Sequence, residues 1–358
     1  MWLTRVYRRV WCFFAIIAFS INMGYANANT LPSQLVEDEV KGQKLTIYLP
    51  ANYNKDHSYK VVYFLDSQAI WTPEWNLKKR LDDLITSGSI EPIVVVGIET
   101  KINRNSILLP YYDLYVTNNW GGYTPNALTF SNRIHNSVIP YVERKYSVSK
   151  STVDKAYFGF SFGGLHTFWD SIHSPNKWGM VSSLSPSFWV DNYRVFKELE
   201  NIEISDTKYW MDIGTGEWDY ILPAVDILTK KGVKYGEKLF YLEVPNAKHQ
   251  SQYWSERIFM PLIIFAGNQE YQAVNWDVKV EFISSSSGDK YYKRINPIVS
   301  AKNGIKYSVG MLTKYEVLNP DAGKVFKDGS FQFLNNKKLN VKLTYKQFKE
   351  TVSIKNNE

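Results

Sequence analysis

Between residues 43 and 267, short runs of β-branched and aromatic residues alternate with longer stretches of helical period. Several runs are continuously apolar, which is typical of parallel strands that are buried on both faces. This order predicts an α/β fold with a doubly wound, mostly parallel sheet. The predicted strands are KLTIYLP, KVVYFLD, PIVVVGIE, KAYFGFS, MVSSLSP, KYWMDIG and LFYLEVP.

The pattern changes after residue 267. Residues 276–350 contain alternating apolar and polar segments separated by turn signals, and they show no helical period. Such spacing favours a small all-β, sandwich-like domain. We therefore predict a large domain over residues 29–267 and an accessory domain over residues 268–358. The predicted β segments are WDVKVEFI, YSVGMLTKYEV, SFQFL and LNVKLTY.

The first 28 residues have the order of a secretory signal. Arg5, Arg8 and Arg9 precede the apolar run VWCFFAIIAF, and Ala26-Asn27-Ala28 fits a small-x-small cleavage site. We predict a signal peptide over residues 1–28 and an exported protein, periplasmic or secreted. Membrane contact is then expected only through this segment, in chains where it is not cleaved.

The single cysteine, Cys12, lies inside that signal. The mature protein is therefore expected to contain no disulfide and no thiolate site. The histidines are scattered, and no H-x-x-x-H pair occurs among them, so we predict no metal and no other cofactor.

Composition and charge narrow the classes of partner. The chain is 44% hydrophobic and 22% charged, as expected of a globular protein. Its net charge of +7 is uneven, because residues 268–358 carry 15 basic and 9 acidic groups. This positive excess has two interpretations: the lysines are simply solvated, or they contact an anionic surface or polysaccharide. Export and the lack of a recognition motif argue against a nucleic-acid partner.

The stretch GFSFG predicts a serine nucleophile at Ser161. In G-x-S-x-G the serine sits at a sharp turn between a strand and a helix, and flanking glycines leave room for that turn. The context agrees, because KAYFGF is a predicted strand and GGLHTFWDSIH a predicted helix.

A serine nucleophile requires a base, and His249 is the predicted one. It follows the strand LFYLEVP in the loop NAKHQSQYW, and strand ends are where open α/β sheets place their sites. It also preserves the order serine, acid, histidine. The other histidines lie in a polar loop or on helices: His57, His135, His166 and His173.

The acid that orients the base is expected in YWMDIGTGEWDY, between serine and histidine. Glu217 follows the flexible GTG stretch and is the chosen residue, while Asp219 is the alternative. Asp212 lies within the predicted strand and is expected to be structural.

An oxyanion hole needs two N–H groups that point at the developing alkoxide. One should be the N–H of Phe162, at the amino-terminal end of the predicted helix. The other should come from the loop after VVYFLD, where Ser67 and Gln68 are candidates.

The large domain resembles the Putative esterase family of α/β-hydrolases over about residues 43–267. That family includes esterase D, siderophore esterases, feruloyl esterases and mycolyltransferases. The resemblance implies a triad of Ser161, His249 and Glu217, with the Gln68 and Phe162 amides as the oxyanion hole. Ser67 departs from the family, which often has glycine there. The matching stretches are VVYFLDSQ, PIVVVGIE, VIPYVERKY, GFSFGG, SLSPSFW, DIGTGE and VPNAKHQSQYW.

Aromatic segments suggest the walls of a substrate cleft. SPSFW contributes Ser187 and Trp189, and YYDLYVTNNWGGY contributes Trp120. An aromatic acyl group, a catecholate or a sugar ring would fit such walls, although the rings could equally serve packing. We therefore expect a serine esterase that acts on a small-molecule or glycan-linked ester. The alternatives are an acyltransferase to a carbohydrate or lipid alcohol, and a non-catalytic ligand- or glycan-binding protein.

Overall fold

The computed structural model describes residues 31–217, 220–284 and 291–356. The predicted signal peptide, with Cys12, lies outside these residues, and so does Asp219. Within the described ranges, no helix has the length and apolar character needed to cross a membrane.

One eight-stranded sheet forms the centre of the molecule. Its strands are β1 (Gln34–Val40), β2 (Gln43–Leu49), β3 (Lys60–Leu65), β4 (Ile93–Ile98), β5 (Lys155–Phe160), β6 (Met180–Leu184), β7 (Lys208–Gly214) and β8 (Leu239–Val244). They lie in the order β1-β2-β4-β3-β5-β6-β7-β8. Strands β3 to β8 pair in parallel, whereas β1 and β2 are antiparallel to their neighbours. The predicted fold class is confirmed, and all seven predicted strands are present as β2 to β8.

The continuous apolar runs have a direct structural reason. In β3, Val61 and Tyr63 belong to the hydrophobic core on one face of the sheet, while Val62 and Phe64 belong to the core on the other face. Successive side chains of a strand point to opposite faces, so a strand covered on both sides must be apolar at every position.

Eleven helices lie in the described part of the chain, and most of them cover the two faces of this sheet. A π-helical turn over Ile134–Val138 joins α5 to α6. The helices are α1 (Ser67–Ile70), α2 (Leu77–Thr86), α3 (Arg104–Leu108), α4 (Leu114–Trp120), α5 (Ala127–Arg133), α6 (Ile139–Lys145), α7 (Phe162–His173), α8 (Arg194–Asn201), α9 (Leu222–Lys230), α10 (Ser251–Arg257) and α11 (Phe259–Ala266).

The described part of the C-terminal region is all-β, as predicted, and forms three small antiparallel sheets. These are β11-β10-β9, β12-β15-β16 and β13-β14. The predicted single segment YSVGMLTKYEV is wrong, because a 3₁₀ turn at Gly310–Leu312 divides it into two strands. The strands are β9 (Ala273–Ser284), β10 (Tyr291–Ala301), β11 (Lys306–Ser308), β12 (Lys314–Val317), β13 (Gly323–Val325), β14 (Phe331–Phe333), β15 (Leu339–Tyr345) and β16 (Phe348–Ile354).

The helix α7, which begins directly after Ser161, carries a fully buried histidine. His166 Nδ1 lies 3.3 Å from the Leu108 carbonyl oxygen, and the rings of Phe130 and Tyr157 surround the imidazole. Burial lowers the pKa of His166 to about 4, and the Asp170 carboxylate opposes this shift only in part. Folding therefore favours the neutral imidazole.

This histidine predicts a loss of stability in acid. Because the pKa of folded His166 lies below the ordinary 6.5, the unfolded chain takes up the proton first as the pH falls. Above pH 6.5, neutral His166 makes its full contribution to the free energy of unfolding. As the pH falls to about 4, about 3 kcal/mol of that contribution is lost. Denaturant unfolding above pH 6.5 and at about pH 4 measures this loss. Between the two pH values, the free energy of unfolding should fall more in wild type than in His166→Gln. Parallel pH profiles for the two proteins would contradict it.

Candidate active site

Three side chains form a hydrogen-bonded chain at the carboxyl ends of the parallel strands. His249 Nε2 lies 2.9 Å from Ser161 Oγ, and His249 Nδ1 lies 2.7 Å from Glu217 Oε2. Glu217 is only 2% exposed, whereas the His249 side chain is 38% exposed. A proton on Nδ1 directed at the carboxylate leaves Nε2 as an acceptor for the Ser161 hydroxyl. The structure thus brings together the three residues that the sequence suggested.

Ser161 occupies a strained turn between β5 and α7. Its φ of 58° and ψ of −125° lie outside the usual regions for a residue with a side chain. A Cβ on Gly159 would meet the Gly163 carbonyl, and one on Gly164 would lie 3.1 Å from the Leu184 oxygen. The glycines therefore allow strand, turn and helix to pack closely while the serine faces the cavity.

The carboxylate of Glu217 is held by hydrogen-bond donors at the ends of two neighbouring strands, β7 and β6. Its Oε1 accepts hydrogen bonds from the Gly214 N–H at 2.8 Å and from the Ser185 hydroxyl at 2.7 Å. A Cβ on Gly214 would collide with the Ala247 carbonyl, which belongs to the loop of His249. Glycine at 214 is what lets the acid loop and the histidine loop lie against each other.

A buried network that the sequence did not reveal supports this carboxylate. The Ser185 hydroxyl donates to Glu217 and accepts from Trp254 Nε1 at 2.9 Å and Arg257 Nη2 at 2.6 Å. Arg257 also pairs with Asp212 at 2.7 Å, which gives Asp212 a structural environment. Burial raises the pKa of Asp212, although Arg257 opposes the rise. These contacts join residues far apart in sequence, so no local motif signals them.

The candidate oxyanion-hole amides lie at two helix starts. Phe162 is the first residue of α7, while Ser67 and Gln68 are the first two residues of α1. Amides in the first turn of a helix have no acceptor within that helix. In α1, the N–H groups of Ala69 and Ile70 already donate to the Asp66 carbonyl.

Asp66 anchors the turn that carries Gln68. Its buried carboxylate accepts two hydrogen bonds from Arg104, both at 2.7 Å, one from Thr100 and one from the Gln68 side chain. Burial alone would raise the pKa of Asp66, but the Arg104 guanidinium outweighs it and lowers the pKa. The charge of Arg104 is therefore largely neutralised, although its side chain reaches the cavity wall.

A cavity of about 470 Å³ opens over these residues. Its aromatic walls touch each other edge to face or at a tilt, as in Tyr115–Trp120 at 5.5 Å and Trp120–Trp189 at 6.1 Å. Trp120 remains 52% exposed. The suggested cleft residues Ser187, Trp189 and Trp120 all line this cavity, whereas Gln68 does not. The full lining is Arg104, Asn105, Tyr115, Trp120, Ser161, Phe162, Ser187, Trp189, Glu217 and His249.

The site offers hydroxyl, imidazole and carboxylate groups, and nothing in it resembles a metal centre. Across the described ranges, no group of three or more histidine, cysteine or acidic side chains is arranged to hold a metal ion. The arrangement suits attack by the hydroxyl on an electrophilic carbon, with the imidazole accepting the proton.

Comparison with known proteins points to one family. The family model described as "Putative esterase" matches residues 40–264, which span the eight-stranded sheet from the end of β1 and the whole cavity. The match ends before the C-terminal β strands.

Individual relatives are distant. The protein YbbA of Bacillus subtilis is 22% identical over 188 residues, which are 52% of this chain and 74% of YbbA. Two other curated relatives are much longer proteins, and the match spans only 19% and 20% of their lengths.

Two solved structures share the fold. One is the feruloyl esterase module of Clostridium thermocellum complexed with sinapinate, with a TM-score of 0.51 and 20% identity over 65% of this chain and 88% of that one. The other is the enterobactin esterase FES of Shigella flexneri, in the presence of 2,3-dihydroxy-N-benzoyl-glycine. Its TM-score is 0.52, with 19% identity over 65% of this chain and 59% of that one.

The network around Ser185 generates a testable prediction. Ser185→Ala removes one of the two donors to Glu217 Oε1 and so holds that carboxylate less firmly. We expect kcat for a p-nitrophenyl ester to fall about tenfold while KM stays unchanged. Ser183→Ala is the matched control, because Ser183, two residues earlier on β6, is also buried but its hydroxyl contacts Thr167. Steady-state kinetics of both variants decide the matter. Equal kcat values for Ser185→Ala and the control would refute the supporting role.

Proposed function

The chain belongs to the Putative esterase family and is a carboxylic ester hydrolase, and we propose that Ser161, His249 and Glu217 are its catalytic triad. The observation that carries this proposal is the continuous hydrogen-bonded chain from the Glu217 carboxylate through His249 to the Ser161 hydroxyl.

In the proposed reaction, Ser161 Oγ attacks the ester carbonyl carbon while His249 Nε2 takes the hydroxyl proton. The negative charge that forms on the carbonyl oxygen is stabilised by the N–H of Phe162, which lines the cavity. The N–H of Gln68 is the second proposed donor, although Gln68 is not among the residues that line the cavity. When the carbon–oxygen bond breaks, His249 returns the proton to the leaving alcohol, and an acyl-serine remains. Water then attacks the acyl group with His249 as base, and the acid and free Ser161 are released.

Glu217 does not exchange a proton with the substrate in this cycle. Its role is to hold the imidazole with Nδ1 protonated and to stabilise the imidazolium that forms in each half-reaction. Its burial strengthens that interaction, since little water competes for the carboxylate. Arg257, 3.9 Å from Glu217 Oε1, and the Ser185 hydroxyl keep the charge compensated when the site is at rest.

We propose an ester with an aromatic acyl group as the substrate. Two features of the cavity support this: its walls are aromatic, and the charge of Arg104, which lines it, is neutralised by Asp66. The two fold neighbours support it as well, since both were solved with aromatic carboxyl compounds. A planar acyl group can stack against Trp120 and Trp189, and each such contact is typically worth about 1 kcal/mol.

A substrate panel tests this proposal. Wild type should hydrolyse methyl ferulate or a dihydroxybenzoyl ester with at least about tenfold higher kcat/KM than an acetyl ester of similar leaving group. Ser161→Ala should lower both activities by about 10⁴-fold or more, because it removes the nucleophile. Full activity in Ser161→Ala would overturn the triad, and product transfer to an added alcohol in place of water would make the chain an acyltransferase.

Trp120→Ala separates the acyl preference from the chemistry. The variant should lose about tenfold in kcat/KM for the aromatic ester through a higher KM. Hydrolysis of the acetyl ester should change much less, because an acetyl group has no ring to stack against Trp120. An equal loss on both esters would contradict an aromatic acyl site at Trp120.

Export is also part of the proposed function. The basic start, the apolar run and the Ala26-Asn27-Ala28 sequence support cleavage after Ala28. Amino-terminal sequencing of protein from the periplasm or the medium should therefore begin at Asn29. Recovery of the full chain in the cell interior alone would contradict export.

A further inference from the structure

Side chains from the C-terminal region form hydrogen bonds to the edge of β8, the last strand of the main sheet. Strand β8 lies at the end of the strand order and so has a free edge. At Glu243 the N–H donates to Ser308 Oγ at 3.0 Å, and the carbonyl accepts from Asn296 Nδ2 at 3.2 Å. At Glu243, both backbone groups are thereby satisfied from outside the sheet.

The side chain of Glu243 makes the strongest of these links. It is 2% exposed and accepts hydrogen bonds from Arg294 and from the Tyr241 hydroxyl. Arg294, on β10, is equally buried. Burial lowers the pKa of a guanidinium, but Glu243 outweighs this and raises the pKa of Arg294, so the buried guanidinium keeps its charge beside this carboxyl group. The contact with Arg294, which lies 51 residues later in the chain, thus explains why the apolar strand LFYLEV contains the acidic residue Glu243.

The same guanidinium also reaches the chain that follows Glu217. Arg294 Cζ lies 5.2 Å from the centre of the Tyr220 ring, a cation–π contact. Asp328 lies 3.5 Å from Arg294 Nη2 and accepts a hydrogen bond from the Tyr220 hydroxyl at 3.4 Å. Tyr220 is therefore held between a cation and an anion of the C-terminal region.

These contacts involve Tyr220, just after the loop that carries Glu217, and Glu243, just before the loop that carries His249. Tyr220 comes three residues after Glu217, and Glu243 comes six residues before His249. A chain of three residues spans at most about 11 Å, so fixing Tyr220 restricts where Glu217 can move.

Between those two ends, the loops bond to each other. The Gly216 N–H donates to the Ala247 carbonyl at 2.9 Å, and the Asn246 N–H donates to Thr215 Oγ1 at 2.8 Å. A shift of either loop is therefore passed to the other, and the position of the Glu217–His249 pair relative to Ser161 changes with it.

We propose that Arg294 is a positioning residue for ester hydrolysis: it clamps the acid loop through Tyr220 and the histidine loop through Glu243, so that the C-terminal β region completes the active site. This inference rests on the triad proposed above. It assigns the C-terminal region a part in catalysis, although the family match ends at residue 264.

The test compares variants of the full chain on p-nitrophenyl acetate, a small ester, because the residues that line the cavity include none from the described C-terminal strands. Arg294→Met should lower kcat about tenfold and leave KM within about twofold, because the cavity itself is untouched. Arg294→Lys, which can pair with Glu243 but cannot stack as a planar group, should recover part of the loss. Tyr220→Leu leaves the ion pair intact and should lower kcat by a similar factor.

Leu343→Ala is the matched control. Leu343 is fully buried in the core of the C-terminal sheets, and that core contains no residue of either loop. The variant should lower the melting temperature at least as much as Arg294→Met while kcat stays at the wild-type value. Loss of kcat in Leu343→Ala equal to that in Arg294→Met would mean that the region acts only through general stability, and would overturn the proposal.

A double variant tests whether Arg294 acts through Tyr220. Arg294→Met with Tyr220→Leu should lose no more kcat than the larger single loss, because the link to Tyr220 is already broken when Arg294 is replaced. Additive losses would overturn the clamp. If Arg294→Met fails to fold, Tyr220→Leu alone decides, and wild-type kcat in that variant would overturn the proposal. Absence of ester hydrolysis in wild type would instead remove the proposed function, so the two failures are distinguishable.

Discussion

A carboxylate held out of water fixes the geometry of the candidate site. An ionised group as deeply buried as Glu217 is stable only where donors surround it. The Gly214 N–H, the Ser185 hydroxyl and His249 Nδ1 supply those donors, each within 2.8 Å. Because both oxygens are committed, the imidazole can satisfy Glu217 in one orientation, and that orientation directs Nε2 at Ser161.

The sheet brings these groups together because neighbouring parallel strands end at the same edge. Four successive strands, β5 to β8, are followed in turn by Ser161, Ser185, Glu217 and His249. The loops can pack this closely only where a side chain is missing, as at Gly214. Backbone strain at Ser161 is the cost of projecting one hydroxyl above the sheet, and the close packing around it holds that strain in place.

The sequence predicted the features that rest on local patterns. Continuous apolar runs indicated the parallel strands, and GFSFG with a later strand-end histidine indicated the residues that the structure brings into contact. The Ser185–Arg257 network and the Arg294–Glu243 pair could not be predicted, because each joins residues from distant segments and neither has a motif. The split of YSVGMLTKYEV was missed because a 3₁₀ turn carries no strong apolar period.

The most direct measurement of the central claim is peptide mapping after reaction with a fluorophosphonate, which forms a stable adduct only with an activated serine. We predict a single adduct on the peptide that contains Ser161, formed at least about 10³-fold more slowly in His249→Ala, because the base that takes the hydroxyl proton is gone. An unmodified protein, or an adduct at any other residue, would contradict the account.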